Sequence, residues 1–456
     1  MNTIKIHFLG ASGTVTGSKF LLETPEQNIL IDCGMFQGLK ELREQNWKDL
    51  SFDVSNIDMV LITHGHLDHT GYLPRLVKQG FTGKILGTAP TLEIAKIILL
   101  DSAKINEEDA ERANKESYSK HQPALPFYSV EDAERTIKTF VPIEKDAWHS
   151  LSENIKYRFR YNGHIIGATF IELELYGKTF VFSGDVGRKD DLLLFPPEKP
   201  EWADYLFLES TYGGKLHPKE SVSEKLITLI NRTVHNRGTL IIPSFAVERL
   251  QTLMFLLWKL YNKRRIPNLP IFIDSPMGNN VLSVFERFAS WHKISPTELN
   301  AMKHRMNIIE SYKETWKTID DPRPKIVIAG SGMITGGRVL TYIKQLIDEP
   351  STTILMVGYQ AEGTRGRQLL EGAHELKFFG KFYPVKAKIE HIESLSAHAD
   401  QNGILDWLSE IKNVPENTFL IHGEPTSLQA LRVKLEAISS WSVTVPNLND
   451  VVTVIA

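Results

Sequence analysis

The chain has 456 residues, of which 42% are hydrophobic and 23% charged, with a formal net charge of −3 and one cysteine, Cys33. This suits a globular chain with a sizeable core and room for two or three domains. It excludes an internal disulfide framework and a membrane-length apolar run, and it weighs against a uniformly basic nucleic-acid-binding surface. The N-terminal MNTIKIHFLGASG alternates like a strand and lacks the basic start and apolar core of a signal peptide. A cytoplasmic location with no membrane partner is expected, and Cys33 reads as a core residue rather than a metal ligand.

Short apolar runs predict strands at Lys5–Leu9, Phe20–Glu23, Asn28–Ile31, Met59–Ile62 and Lys84–Gly87. Between the last two lies THGHLDHTG, residues 63–71, with three histidines and an aspartate within six positions. It follows an apolar strand and precedes a helical pattern from Tyr72, and strand-end loops of this kind are where open α/β sheets place their sites. Asp101 to Ala147 is polar and mostly helical in pattern, which fits either a solvated excursion or a flap near the site. Strands resume at Lys156–Tyr161, Phe170–Tyr176 and Thr179–Ser183. From about Ser210 helices and strands alternate: a helix at Val222–Val234, a strand at Thr239–Pro243, a helix at Arg249–Tyr261 and a strand at Ile271–Asp274. Strands at Lys325–Ala329 and Thr353–Val357 then flank a helix at Arg338–Ile347. That rhythm predicts a parallel sheet. After Phe382 the pattern becomes mixed again, so one domain is expected to be inserted into another.

Further ligand-type residues stand at strand ends. Asp32 follows Ile29-Leu30-Ile31, His164 lies in a glycine-flanked turn, and Asp185 follows an apolar strand. Glu209 follows Tyr205–Leu208, and His422 follows Phe419-Leu420-Ile421. Taken singly, each is a weak signal, and a lone histidine is more often a hydrogen-bonded core residue. Together they suggest a site for two metal ions, and nitrogen and oxygen donors without thiolate suit zinc, with manganese or iron as alternatives.

The loop HGHLDH, with Asp32, His164 and Asp185, resembles the metallo-β-lactamase superfamily. LESTYG at 208–213, IPSFAVER at 242–249, LSAHAD at 395–400 and IHGE at 421–424 are similar to the β-CASP branch of nucleic-acid-processing nucleases, as is KESYSKHQPALP in the excursion. The resemblance implies an α/β fold: a metallo-β-lactamase αββα sandwich with an inserted β-CASP α/β domain. The expected boundaries are 1–209 for the first part of the sandwich, 210–382 for the insertion and 383–456 for the C-terminal return. The resemblance implies one metal held by His64, His66 and His164, a second held by Asp68, His69 and His422, and Asp185 bridging the two. Asp32 would orient ligands through hydrogen bonds. The implied reaction is hydrolysis of single-stranded RNA, as an endoribonuclease, a 5′-exoribonuclease or both, with Asp68, Asp185, Glu209 and His398 as catalytic residues. His398 would be the general acid and Glu209 its orienting carboxylate. The resemblance also implies RNA rather than DNA as substrate, because DNA-specific members usually carry a non-histidine residue where His422 stands.

Gly330-Ser331-Gly332 follows a strand and exposes backbone N–H groups as a phosphate cradle would, although an ordinary tight turn reads the same way. Two arginines stand in Gly363-Thr364-Arg365-Gly366-Arg367. With the resemblance, phosphate contacts are expected from Ser331, Arg365 and Arg367. Single-stranded RNA is the expected partner, with a homodimer as a further option. Two rivals share parts of this pattern: a small-molecule thioesterase or lactonase of the same fold, and a non-catalytic RNA-processing subunit. The first lacks so large an insertion, and the second would not keep a complete ligand set.

Overall fold

The computed structural model describes residues 2–116, 121–378, 380–438 and 440–456. Ser117–Lys120 of the KESYSKHQPALP stretch lie outside the described residues. The chain forms two compact units, Met1–Leu216 with His398–Ala456, and His217–Ala397. Among the described residues no helix is long and apolar enough to cross a membrane.

The first unit contains two seven-stranded sheets. One runs in the order Val451–Ile455, Thr3–Phe8, Phe20–Glu23, Asn28–Ile31, Met59–Leu61, Lys84–Gly87 and Phe140–Pro142. The other runs Val443–Thr444, Asn417–Ile421, Tyr205–Glu209, Lys178–Phe182, Thr169–Leu175, Ile155–Tyr161 and His149–Ser150. Alternating residues of both sheets enter one core, which includes Phe8, Phe20, Ile31, Phe159, Ile171, Phe207 and Phe419. Phe182 and Phe207 stack with ring centres 4.0 Å apart. Outer apolar layers close the opposite faces. Leu73, Leu76, Leu92 and Leu99 from helices pack on the first sheet, and Ile404, Trp407, Leu428 and Leu431 pack on the second. The arrangement is helix, sheet, sheet, helix, as expected.

Asp101 begins no separate excursion. It lies within the 27-residue helix Ala89–Lys115, whose N-terminus is capped by the Thr88 hydroxyl. Ala103, Phe127, Tyr128 and Ala133 continue the same apolar layer, and the capping box of Ser129 and Asp132 starts the helix Val130–Ile137.

Parallel pairing places the strand ends. Asn28–Ile31, Met59–Leu61 and Lys84–Gly87 are mutually parallel, so Asp32 and His64 emerge at the same edge. Lys178–Phe182, Tyr205–Glu209 and Asn417–Ile421 are parallel too, in the register Phe182 to Phe207 and Glu209 to Ile421. Asp185, Glu209 and His422 therefore emerge together.

The second unit holds a six-stranded, all-parallel sheet in the order Asn307–Ile308, Ile271–Asp274, Lys325–Ala329, Thr239–Pro243, Thr353–Val357 and Lys388–Ile392. Its edge strand Lys388–Ile392 pairs with Thr353–Val357. That pairing carries this unit to Ala397, beyond residue 382 where the sequence pattern changes. At the other junction, Ser210 N donates to His422 O and Gln401 N donates to Lys215 O, so residues 210–216 stay with the first unit.

Candidate metal centre

The loop after Met59–Leu61 turns because its backbone is clamped by two neighbouring segments. Ser18 N donates to Asp68 O, Cys33 N to His69 O and Met35 N to Leu67 O. Gly34 allows this close approach: a Cβ there would stand 1.5 Å from Asp68 O. Asp32 and His422 adopt left-handed φ values of 56° and 50°. This conformation costs a non-glycine residue of order 1–3 kcal/mol and concentrates at functional sites.

Two donor groups result. His64 Nε2 lies 3.1 Å from His66 Nδ1, which lies 3.2 Å from His164 Nε2. Asp185 Oδ2 is 3.4 Å from both His64 Nε2 and His164 Nε2. Donors about 2.0–2.2 Å from a common ion at tetrahedral angles stand about 3.3–3.6 Å apart, so this quartet has close to the spacing of a tetrahedral zinc site. In the second group His69 Nε2 is 3.3 Å from His422 Nε2, and His422 Nε2 is 3.4 Å from Asp68 Oδ2. Asp185 Oδ1 lies 3.3 Å from His69 Nε2 and 3.6 Å from His422 Nδ1. That oxygen is buried yet makes no hydrogen bond among the described residues. A buried, unsatisfied carboxylate oxygen is costly in a protein interior, and a cation between the groups would satisfy it. The donor chemistry and spacing both fit divalent metal.

At the first donor group the electrostatics agree, whereas Asp185 and Asp32 hold His69 of the second group well above the usual imidazole range against its burial. Burial pushes the His64 imidazole down to about 3 and His66 down to about 4, with neighbouring histidines adding to the effect; His164 falls well below its usual value for the same reasons. Neutral imidazole is the ligating form. Burial would raise Asp185, but His422, His69 and His64 hold it well below the usual carboxylate range.

A supporting layer orients the donors. Asp32 Oδ2 lies 2.7 Å from His69 Nδ1, and Asp32 Oδ1 accepts from Thr63 N at 2.8 Å. The Thr63 hydroxyl lies 3.1 Å from His64 Nδ1, and the Thr211 hydroxyl 3.1 Å from His422 Nδ1. Sequence reasoning named Asp32 but missed Thr63 and Thr211. The signal available was position: each threonine stands just beyond a strand that delivers a donor.

Asp185, Glu209 and His398 form a third group. Glu209 is fully buried and accepts from Val186 N at 2.7 Å and Thr211 N at 3.2 Å. Its Oε1 lies 3.2 Å from His398 Nδ1, and His398 Nε2 lies 4.0 Å from Asp185 Oδ2. Burial opposes charge on His398, but Glu209 and Asp185 outweigh it and push the imidazole up to about 9.

The three expected phosphate contacts lie in the second unit. The Ser331 hydroxyl accepts from Thr335 N and Gly336 N, closing its own loop. Arg365 donates from Nε to Lys377 O at 2.9 Å and from Nη1 to Ile334 O at 3.2 Å, so it also braces that loop. Arg367 pairs with Glu371 one helical turn away.

A model of the metallo-β-lactamase superfamily matches residues 13–234, a Beta-Casp domain model matches 250–369, and a model described as a Zn-dependent metallo-hydrolase RNA specificity domain matches 383–446. Ribonuclease TTHA0252 of Thermus thermophilus is 32% identical, with 98% of this chain and 99% of that one aligned. An RNase J-like protein of Methanocaldococcus jannaschii is 29% identical over 92% of this chain and 93% of its own. Integrator complex subunit 11 of Danio rerio is 27% identical over 100% of this chain and 75% of its own. A crystal structure of an Enterococcus faecalis V583 protein shares the fold, with a TM-score of 0.55 at 12% identity, covering 99% of this chain and 100% of that one. The donor geometry and these similarities agree that the chain belongs to the β-CASP family of the metallo-β-lactamase superfamily and is a metal-dependent hydrolase of the nuclease class.

Proposed function

We propose that the chain hydrolyses phosphodiester bonds of single-stranded RNA, using two divalent ions of the zinc class, with manganese or iron as alternatives. The observation that carries this is the convergence of two donor groups on the two oxygens of one carboxylate, Asp185. His64, His66 and His164 would hold one ion, Asp68, His69 and His422 the other, and Asp185 would offer an oxygen to each. Such a pair supplies a water of lowered pKa and positive charge at the phosphoryl oxygens. The chain's own residues supply the rest. Glu209, held by two backbone N–H groups, fixes the His398 ring through Nδ1 and favours its protonated form. His398 would give its Nε2 proton to the leaving oxygen, which would depart as a 3′-hydroxyl and leave a 5′-phosphate on the other product.

RNA as substrate is supported by the ribonuclease names of two relatives and by the description of the C-terminal family model. Ser331, Arg365 and Arg367 remain proposed backbone-phosphate contacts. The buried Cys33 suits a reducing cytoplasm. The test is a time course on matched single-stranded RNA and DNA, labelled at either end, with product ends identified. RNA should be cut to 5′-phosphate and 3′-hydroxyl ends. Equal rates on RNA and DNA would defeat the RNA assignment, and turnover of thioesters or lactones without nuclease activity would favour the small-molecule rival.

A further inference from the structure

The loop after Asp185 begins and ends on the turn that carries His164. Gly187 N donates to Asn162 O, and a Cβ on Gly187 would overlap Gly163 and the His164 nitrogen at 2.1–2.5 Å. At the far end, a Cβ on Gly163 would meet Phe195 O at 2.6 Å and Pro197 N at 3.3 Å. Both ends of the segment 187–197 are thus pinned against the residue preceding a candidate metal donor. Between them Asp191 Oδ1 accepts from Leu193 N and Leu194 N, a turn that buries Leu193 and Leu194 completely. The same turn leaves Leu192 at 42% and Phe195 at 40% exposure. Phe195 is not loose: its N–H donates to the Tyr161 hydroxyl at 3.1 Å, and its ring meets Tyr161 edge-on with centres 6.3 Å apart.

An aromatic ring that is both exposed and rigidly mounted has an unsatisfied apolar face. Here the ring rests on Tyr161, three residues before His164 in the chain, and the Phe195 carbonyl lies against Gly163, the residue next to His164. A single-stranded nucleic acid with a phosphate at the metal centre brings its adjoining bases within reach. Bases stack on aromatic side chains whatever their identity, which suits a site that selects strandedness rather than sequence. We propose that Phe195 is the stacking platform for a nucleobase flanking the scissile phosphodiester, so that the enzyme holds a single strand by a base as well as by its backbone. This inference rests on the ribonuclease reading and adds a substrate-contacting residue to it.

The test uses one single-stranded RNA whose cut site is first mapped with the wild-type, metal-loaded protein. Each nucleotide within three positions of the cut is then replaced in turn by an abasic ribose. With the wild type, one flanking position should lower kcat/KM by about 5- to 100-fold when abasic, the usual size of a lost base-aromatic stack. Phe195→Ala should show a similar loss on intact RNA and no further loss at that position, while Phe195→Trp should restore the wild-type profile. Metal content and melting temperature of both variants should match the wild type. A wild-type profile flat across all abasic positions, or a Phe195→Ala profile that keeps the position-specific loss, overturns the platform and leaves the ribonuclease reading standing. Absence of RNA cleavage by the wild type overturns both.

Discussion

Replacing Asp32 with asparagine tests the support beneath the metal centre. Asp32 is 2% exposed, and its two oxygens serve three groups. Oδ1 accepts from Thr63 N at 2.8 Å, while Oδ2 accepts from the Thr63 hydroxyl at 2.9 Å and faces His69 Nδ1 at 2.7 Å. A carboxylate at Nδ1 keeps the proton on that nitrogen and leaves His69 Nε2 free to ligate. Asparagine preserves volume and tolerates the left-handed φ of 56°, but it exchanges one acceptor for a donor. With the amide nitrogen toward Thr63 N, two donors face each other. With it toward His69, Nδ1 must become the acceptor and Nε2 takes the proton. Either arrangement leaves a buried group unsatisfied, at about 1–3 kcal/mol, and lost outer support of this kind lowers metal affinity about 10- to 100-fold. The larger loss should fall on the set of Asp68, His69 and His422. Zinc-loaded wild type and Asp32→Asn would be dialysed against graded chelator and zinc counted by elemental analysis. The variant should settle near one ion per chain at a chelator concentration where the wild type keeps two. Release of both ions together, or retention of both at wild-type concentrations, would refute the tautomer argument.

His398→Ala should keep both ions and slow cleavage about 10²- to 10⁴-fold, the range for a positioned acid, whereas His422→Ala should lose an ion; elemental analysis beside single-turnover rates would expose the reverse pattern. Asp185→Ala should weaken binding of both ions, and undiminished metal content would remove it from the bridging role. Phe207 is fully buried between Phe182, Phe8 and Phe419, so Phe207→Ala should cost about 3–5 kcal/mol, read as a lower urea midpoint; a change below about 1 kcal/mol would place the ring outside the working core. If Arg365 contacts a terminal phosphate, Arg365→Ala should erase a preference for 5′-monophosphorylated over 5′-hydroxyl RNA more than it slows internal cutting, and an unchanged preference would exclude that contact.

The strands that deliver the donors were legible because each is a local apolar run ending in a polar turn. Asn28–Ile31, which ends at Asp32, has the bounds that this pattern predicts, as do Thr239–Pro243 and Thr353–Val357 of the second unit, which deliver no donor. The helix from Ala89 was less legible, because its buried first half and charged second half read as separate segments. The edge strand Lys388–Ile392 carries two charges and joins a sheet only through a partner 35 positions earlier in the register.

By itself the sequence determined which residue types stand at strand ends, since hydrophobic periodicity and glycine turns act over a few residues. Only the tertiary structure decided which of them meet. His69 and His422 are 353 positions apart, and His398 and Glu209 are 189 apart. Their convergence depends on parallel register between strands distant in the chain and on the left-handed turns at Asp32 and His422. It likewise decided that Arg365 braces a loop through two backbone carbonyls and that Thr63 and Thr211 hold imidazoles in place. Those roles come from hydrogen bonds closed across space, which no local pattern encodes.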